Sequence, residues 1–259
     1  MKPKMITMIE AFAMSCLILA LAACGSSGGN GGAAPPPEPA SSAEGLWIGS
    51  TSTSRSVTGI VLDNGTYWIL YSVPHASSLI AGVVQGTGTS LNGSFSSSDG
   101  IDFNLEGQGI NNATVSASYM VKQSFNGSVT YPSLNQAYTF TSSYNSDYDQ
   151  TPSVSAIAGT YIGLASVAGS NEPITIVVSS QGVVAGTGGT SGCQYLGAAV
   201  PRARGNLYDL SVVIGGGACP SGTSAVTGIG YFDASAKRLY LTALNKSRSD
   251  GLIFVGIKS

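Results

Sequence analysis

From Gly45 to the C-terminus the chain is built of short runs in which apolar and polar residues alternate. Glycine, asparagine, serine and proline separate these runs, as in "LYDLSVVIG" followed by "GGACPSG". Alternation with a period of two is typical of a β-strand that buries one face, and no stretch keeps a helical period over three turns. The pattern therefore predicts an all-β protein.

The runs fall into two groups separated by the polar stretch "YNSDYDQTPS". In the first group the candidate strands are LWIGSTS, VTGIVLD, TYWILYS, IAGVVQGTGT, GSFSSS, IDFNLEG, ATVSASYMV, GSVTY and YTFTSS. In the second group they are TYIGLAS, ITIVVSS, GVVAGTG, CQYLGAAV, LYDLSVVIG, AVTGIGYF, RLYLTAL and LIFVGIKS. We therefore expect a first lobe over 45–145, a linker over 146–155 and a second lobe over 156–259.

Each group contains about eight mostly adjacent antiparallel strands, which close most easily into an up-and-down barrel. Closure also removes the exposed strand edges that invite aggregation. The sequence thus predicts two tandem antiparallel up-and-down β-barrel lobes. One merged β-sandwich that uses strands from both groups is the alternative.

Two short motifs occur once in each group. Both groups open with Gly, any residue, an aromatic and Ile-Gly, at Gly45 ("GLWIG") and Gly159 ("GTYIG"). Both also contain a nearly identical string, "GVVQGTG" from Gly82 and "GVVAGTG" from Gly182. The first motif repeats after 114 residues and the second after 100, which indicates an extra segment in the first lobe near "TYWILYSVPHASS". The motifs favour an internal repeat, and convergence of two low-complexity β-regions is the alternative.

The glycine strings do not match a nucleotide-binding loop. A dinucleotide fingerprint needs a third glycine that leads into a helix, and a phosphate loop needs Gly-Lys-Ser/Thr, and neither copy has these. As a strand, the first string places Gly82, Gly86 and Gly88 on one nearly bare face, which predicts a sharp bend or the close approach of another segment. The second string would repeat this arrangement.

Three Asn-Gly pairs, Asn64-Gly65, Asn92-Gly93 and Asn126-Gly127, are candidates for two-residue hairpin turns because both residues tolerate a positive φ. Cys193 and Cys219 flank a further predicted hairpin, centred near Arg204, and should form a disulfide that clamps its base. A metal site at these cysteines would need further ligands, and the only histidine of the chain, His75, is far away in the sequence. No metal is expected.

The candidates for acid–base or nucleophilic chemistry are few. His75 lies in "YSVPHASS", where the proline and serines predict an exposed loop, and no Gly-x-Ser-x-Gly elbow accompanies it. In "IDFNLEG", Asp102, Asn104 and Glu106 share one face of a strand and the apolar residues take the other, so we expect the acidic face to be solvated. Asp209 and Asp233 are isolated. No catalytic cluster is found in the sequence. We therefore predict that the protein is not an enzyme and that it uses no cofactor.

The strand "TYWILYS" is apolar on both faces, with Tyr67 and Tyr71 on one and Trp68 on the other. If one face is exposed, these three residues form a binding patch. Burial of the strand between the first barrel and the second lobe is the alternative. Both remain open from the sequence.

The N-terminus "MKPKMITMIEAFAMSCLILALAAC" resembles a bacterial lipoprotein signal peptide, with a lipobox at Leu21–Cys24. The resemblance implies that residues 1–23 are removed, that Cys24 is acylated and, because Gly25 follows, that the protein reaches the outer membrane. Residues 24–44 hold no apolar residue larger than alanine or proline after the cysteine, which predicts a flexible Gly/Pro/Ser tether. Which membrane face it occupies stays open.

Charged residues make up only 9% of the chain and the net charge is −2, so no basic patch favours nucleic acid. Lipobox, tether and Gly-rich β-meander together resemble the transferrin-binding-protein-B type and the factor-H-binding type of surface lipoprotein. That resemblance implies a non-catalytic binding or envelope-interaction module with a protein or glycan partner. A lipocalin-like carrier of a small apolar ligand is the second hypothesis, and an envelope hydrolase is the third.

Overall fold

In the computed structural model, residues 42–259 are described, apart from 168–169 and 221. The predicted signal peptide, Cys24 and nearly all of the tether lie outside the described residues. The described residues form one compact unit, which contains seventeen strands and very little helix.

The first eight-stranded barrel consists of β1–β4 and β6–β9, with the short β5 alongside β6. The bounds are β1 Gly45–Thr51, β2 Ser56–Val61, β3 Thr66–Val73, β4 Ala76–Thr87, β5 Thr89–Leu91, β6 Ser94–Asn104, β7 Gly109–Met120, β8 Ser124–Tyr131 and β9 Gln136–Tyr144. Neighbouring strands are antiparallel, β9 pairs with β1, and pairing of β4 with β6 closes the ring. The two predicted strands GSFSSS and IDFNLEG are one strand, β6, with an irregularity between Ser97 and Gly100.

The second barrel closes through pairing of β10 with β17. Its bounds are β10 Gly159–Val167, β11 Ser170–Val178, β12 Val183–Gly188, β13 Gln194–Pro201, β14 Tyr208–Gly215, β15 Ser224–Asp233, β16 Arg238–Leu244 and β17 Gly251–Lys258. The prediction of two tandem antiparallel barrels is therefore confirmed, and the strands do not merge into one sandwich.

Alternation along each strand determines which side chains fill a barrel. In β14, Tyr208, Leu210 and Val212 are buried, whereas Asp209 and Ser211 between them are exposed. The inward side chains of β10–β17 form one apolar cluster that fills the second barrel. The inward side chains of the first barrel form a second cluster that is rich in aromatic residues.

A third apolar cluster, which we call the interbarrel core, lies between the barrels. It explains why β3 is apolar on both faces: Ile69 points into the first barrel, whereas Trp68 and Leu70 point outward against the second. Ile229 and Tyr231 of β15 are among the residues that face them. Each large apolar side chain buried here contributes roughly 1.5 to 3 kcal/mol, so the two barrels are held together as one unit.

The segment between the barrels is packed against them. It contains a 3-10 helix, Ser146–Asp149, and a short helix α1, Val154–Ile157. Tyr148 is buried in the interbarrel core and donates a hydrogen bond to the Glu44 carboxylate at 3.1 Å. None of the helices in the described part of the chain is long and apolar enough to span a membrane.

The three Asn-Gly pairs have different outcomes. Asn92-Gly93 forms the predicted two-residue hairpin, with φ angles of 49° and 79°. Asn64-Gly65 lies in the longer connection between β2 and β3. The turn prediction is wrong for Asn126-Gly127, which lies inside β8. There the Asn126 side chain accepts a hydrogen bond from the Ser142 N–H at 2.9 Å, and β7 packs closely over Gly127.

The predicted disulfide between Cys193 and Cys219 is present, with 5.0 Å between the Cα atoms. Gln194 pairs with Gly215, so the two cysteines flank the open end of the β13–β14 hairpin, as expected. The bond closes a segment of 26 residues, which stabilises the fold by about 3 to 4 kcal/mol in the chain-entropy description.

The two repeated motifs differ in their structural positions. The openings at Gly45 and Gly159 begin the first strand of each barrel, and the aromatic residue of each donates to a carbonyl four residues earlier. The glycine strings are not equivalent, because the first lies in the fourth strand and the second in the third. Gly182 also precedes its strand, in a turn with φ of 82°. One additional strand before the first string accounts for the unequal spacing.

Candidate functional site

The two ends of the first barrel differ. One end is closed by aromatic rings, with Trp47 5.5 Å from Phe125 and Phe95 5.3 Å from Phe125 between ring centroids. Tyr67 packs edge-on against Phe95 at 5.6 Å. Trp47 also donates its indole N–H to the Ala43 carbonyl at 2.9 Å, which satisfies its polar atom inside this plug.

The opposite end holds an open cavity of about 150 Å³, which we call the cup. Its floor is apolar and consists of Val57, Ile69, Val84, Val129 and Phe140. Its wall and mouth are polar and include Arg55, Tyr71, Asp102, Asn104, Glu106, Gln108, Tyr131, Gln136 and Tyr138. A dry apolar cavity of about this volume accommodates benzene, so the cup has room for a molecule of one ring.

Asp102 is the most deeply buried charged group of the cup, with 3% of its surface exposed. The expectation of a solvated face is therefore wrong for Asp102, whereas Asn104 is half-buried and Glu106 is exposed. The face of β6 that carries Asp102 points inward, where the carboxylate meets Tyr71 and Tyr131 of the barrel interior. The apolar face of β6 points outward and is covered by the second barrel, where Phe103 and Leu105 join the interbarrel core.

Two tyrosines hold the Asp102 carboxylate. The Tyr71 hydroxyl of β3 donates to Asp102 Oδ1 at 2.8 Å, and the Tyr131 hydroxyl of β8 is also hydrogen-bonded to the carboxylate. The Asn104 amide in turn donates to the Tyr71 hydroxyl at 3.2 Å. The carboxylate, both phenols and the amide form one connected network across the inside of the barrel.

Burial dominates the electrostatics of this network. Desolvation raises the pKa of Asp102 to about 6, although the hydrogen bonds from Tyr71 and Tyr131 and the charge of Arg55 oppose this rise. Burial and the neighbouring carboxylate also raise the pKa values of both tyrosines far above 10, so the phenols stay protonated and act as donors. Asp102 is thus a carboxyl group that changes charge near neutral pH.

An ion pair crosses the mouth of the cup above Tyr71. Arg55 and Glu106 are 2.8 Å apart, although they adjoin β2 and β6, which β3 and β4 separate in the ring. Arg55 also donates to the Ser72 carbonyl at 2.9 Å and lies 5.6 Å from the centre of the Tyr71 ring. The Arg55 guanidinium is therefore already bound to Glu106 and to the Ser72 carbonyl, and the Glu106 carboxylate is already paired with Arg55.

The glycines of the first string have no side chains, and aromatic side chains from other strands occupy the space beside them. A Cβ atom at Gly82 would collide with the Tyr71 hydroxyl, and one at Gly86 or Gly88 would collide with Tyr67 or Phe95. The predicted close approach of another segment is confirmed, since three aromatic side chains cross this face. The second string does not repeat this contact, because a Cβ at Gly188 would meet the carboxylate of Glu172.

The predicted aromatic patch is not an exposed surface. Tyr67, Trp68 and Tyr71 are 0%, 4% and 9% exposed, respectively. The alternative interpretation, in which β3 is buried between the barrel and the second lobe, describes their positions. Of the three, only Tyr71 borders the cup.

The other candidate residues have local structural roles. His75 is exposed in the turn between β3 and β4. Asp209 forms an ion pair with Arg202, and Asp233 accepts hydrogen bonds from the turn that follows β15. Within the described residues no group of three or more His, Cys, Asp or Glu side chains could hold a metal ion.

The second barrel also buries a carboxylate, Glu172, but satisfies it fully. The backbone N–H groups of Thr190 and Ser191 donate to it at 3.1 and 2.9 Å, and the Ser191 hydroxyl donates at 2.7 Å. Burial alone would raise the pKa of Glu172, but these donors lower it below its ordinary value. This carboxylate ties down the loop beside Cys193, a structural role that Asp102 does not share.

The outer surface of the second barrel carries an apolar wall on β10–β14. Its most exposed members are Ile162, Leu164, Leu196, Val200 and Val213, each between 49% and 62% exposed. The outward positions of β10–β13 that the structure describes carry no charged side chain. An uncharged apolar surface of this extent is uncommon on an isolated soluble protein.

No family model matches the chain, and no curated protein is similar to it. Among solved structures, the chain is similar to one from Bacteroides fragilis, described as "a putative outer membrane protein", with 14% identity and a TM-score of 0.24. The similarity covers 83% of this chain and 96% of that one. A TM-score this low carries no argument about function.

Replacement of Asp102 by Asn should change how stability depends on pH. The folded-state pKa of about 6 exceeds the ordinary value of 3.8, so the folded protein retains a proton that the unfolded chain releases. The contribution of this group is therefore fully present below pH 4 and is lost as the pH rises through 6, by about 3 kcal/mol in all.

Urea unfolding of both proteins at pH 4 and pH 7.5 measures this effect. Relative to wild type, the Asp102→Asn variant should gain about 2.5 kcal/mol of unfolding free energy on going from pH 4 to pH 7.5, because part of the effect is already lost at pH 4. An equal difference between the two proteins at both pH values would mean that Asp102 is solvated.

Proposed function

We propose that this protein is a membrane-tethered, non-catalytic lipoprotein whose first barrel binds a small ligand in the cup. The observation that carries the proposal is a cavity with a buried, incompletely compensated carboxylate at the open end of a barrel whose other end is plugged. Small-molecule sites are typically concave and mostly apolar, with a few polar groups that orient the ligand. The cup has this composition.

The arrangement of the cup favours binding over catalysis. Asp102 is hydrogen-bonded to phenols whose raised pKa values keep them protonated, so neither Tyr71 nor Tyr131 serves as a nucleophile near neutral pH. Glu106, the second acid, is paired with Arg55. His75 is not among the residues that line the cup. These features support a holding role.

The ligand that fits the cup is amphipathic. The hypothesis of a lipocalin-like carrier is therefore changed in one respect, because that hypothesis assumed a purely apolar ligand. The floor of Val57, Ile69, Val84, Val129 and Phe140 accommodates an apolar body. The wall that contains Asp102 and its tyrosines would face a polar group of the ligand. Covering that wall with hydrocarbon alone would leave the carboxylate without water or a partner, which is costly.

The tether belongs to the same proposal and is supported by the sequence. The lipobox at Leu21–Cys24 resembles those of bacterial lipoproteins, and Gly25 implies an outer-membrane location. The predicted tether of about 20 residues would have a typical end-to-end distance of roughly 25 Å. A cup at this distance from the membrane would bind its ligand close to the bilayer.

Substitution of Val129 by Phe, on the floor of the cup, should exclude the ligand by reducing the free volume. Wild-type protein isolated from its own envelope should release a stoichiometric small molecule on denaturation, detected by mass spectrometry. The Val129→Phe variant should release at least fivefold less, while Val129→Ile, the control, retains it. Circular dichroism would confirm that both variants are folded. A wild-type extract without a small molecule, or equal amounts from all three proteins, would contradict the proposed binding.

The mature N-terminus tests the anchor. Mass spectrometry of the membrane-extracted protein should find Cys24 as the first residue, with a mass increase that corresponds to acyl chains. The Cys24→Ser variant should keep its signal segment and carry no acyl group. An unmodified N-terminus that begins upstream of Cys24 in the wild-type protein would contradict lipidation.

A second candidate function is contact with the membrane surface through the apolar wall. The part of the wall on β10–β13 has no charged outward residues, so burying that part in lipid headgroups would not desolvate a charge. Asp209 on β14 is exposed and is paired with Arg202 at the margin of the wall. Glu44, at the end of the predicted tether, forms a 2.7 Å ion pair with Arg204 in the turn that joins β13 and β14, two of the strands that carry the wall. A lipid-anchored tether ending there would bring the wall to the bilayer.

Vesicle flotation of protein that begins at Gly25, without the signal segment and without Cys24, tests this contact apart from any N-terminal anchor. Vesicles of phosphatidylethanolamine and phosphatidylglycerol should carry a fraction of the protein, and Leu196→Glu in the wall should reduce that fraction several-fold. Leu91→Glu, at an equally exposed leucine of the first barrel, is the matched control. If the protein does not float with the vesicles, lipid does not cover the wall. The same conclusion follows if the protein forms a dimer that Leu196→Glu disrupts.

A further inference from the structure

We propose that the ligand of the cup is a small organic ammonium cation, a primary amine with an apolar ring or short chain. Its ammonium group would pair with Asp102 and its hydrocarbon would lie on the apolar floor. This inference rests on the proposed function of the cup and names the class of molecule that the cup selects.

The charges that line the cup are unbalanced. They comprise the cation of Arg55 and the carboxylates of Asp102 and Glu106. Arg55 and Glu106 neutralise each other in the rim ion pair, with Arg55 also bound to the Ser72 carbonyl. When Asp102 is ionised, the cup therefore carries one net negative charge, which attracts a cation and repels an anion.

The Asp102 carboxylate also has unused hydrogen-bonding capacity. An ionised carboxylate offers about four acceptor positions, and the hydroxyls of Tyr71 and Tyr131 occupy two of those of Asp102. An ammonium group supplies up to three donors and a full positive charge, and hydrogen bonds between ionised partners are roughly twice as strong as neutral ones. A primary amine therefore satisfies the carboxylate in charge and in geometry.

The buried carboxylate gives the two ligand classes opposite pH dependences. An ammonium ligand favours ionised Asp102 and should bind more tightly above pH 6, whereas a neutral ligand that covers the carboxyl group favours its protonated form and should bind more tightly below pH 6. The groups that face Asp102 are Tyr71 from β3, Tyr131 from β8, Arg55 before β2, and Asn104 and Glu106 along β6. The direction of the pH dependence thus identifies the class.

Three probes of nearly the same shape separate charge from size: benzylamine, benzyl alcohol and benzoate. Binding of each to the full protein is measured by ligand-observed NMR at pH 7.5 and pH 5.0. Benzylamine should bind most tightly at pH 7.5 and about tenfold more weakly at pH 5.0, the change in the ionised fraction of a group with a pKa of about 6. Benzyl alcohol should bind weakly and benzoate not measurably.

The Asp102→Asn variant provides the decisive comparison, since its amide oxygen can still accept the tyrosine hydrogen bonds. It should bind benzylamine at least tenfold more weakly than wild type at pH 7.5, with no remaining pH dependence. At both pH values it should bind benzyl alcohol about as tightly as wild type does at pH 5.0, where Asp102 is mostly protonated. Asp147→Asn, outside the cup, is the matched control and should leave all three affinities unchanged.

The outcomes distinguish this inference from the function on which it rests. If benzoate or benzyl alcohol binds most tightly, or if benzylamine binding is independent of pH and of Asp102, the ammonium class is wrong and the cup still binds small molecules. If no probe binds to the wild-type protein at millimolar concentration, the proposed binding function of the cup is contradicted as well.

Discussion

The phenol of Tyr71 occupies the space that Gly82 leaves empty, and the arrangement of the first barrel depends on this contact. A Cβ atom at Gly82 would collide with the Tyr71 hydroxyl and would also press against the Phe103 carbonyl of the paired strand. The missing side chain therefore permits β4 to approach β6, which closes the ring, and it permits Tyr71 to reach Asp102 at 2.8 Å. Closure and the polar network of the cup have the same physical origin.

The interbarrel core determines which residues face the cup. Because the second barrel covers the outside of β3, β4 and β6, the apolar faces of these strands are outward and their inner faces can hold polar groups. In the second barrel, outward apolar side chains such as Ile162, Leu164 and Leu196 are exposed, and the interior is filled with apolar side chains. Two barrels of the same strand number thus differ in which surface is available for binding.

Much of the fold could be predicted from alternation and turn chemistry. The strands, the two barrels and the Cys193–Cys219 disulfide follow from local patterns, because a period of two and a hairpin register are properties of neighbouring residues. Asn126-Gly127 does not form a turn because it lies inside β8, where the Asn126 side chain contacts Ser142 of the neighbouring strand β9. The two glycine strings likewise differ in position because three strands precede the first string in its barrel and two precede the second.

The cup was not predictable in the same way. The pattern "IDFNLEG" shows that the two faces of β6 differ, but alternation does not specify which face is solvated when a second domain covers the outside. Arg55 and Tyr131 were not identified, since they are 76 residues apart in sequence and meet only after the ring closes. A useful signal was the apolar face of β6, which needs a partner outside the barrel and so places Asp102 inside.

Asp102 is a buried carboxyl group in a network with Tyr71 and Tyr131, and the pKa that follows from this burial can be measured directly. Titration of its side-chain carboxyl carbon by ¹³C NMR in the folded protein, with the signal assigned by its loss in Asp102→Asn, should give a midpoint of about 6. A midpoint at or below the ordinary value of 3.8 would mean that the carboxylate is solvated and that the cup does not hold a buried acid.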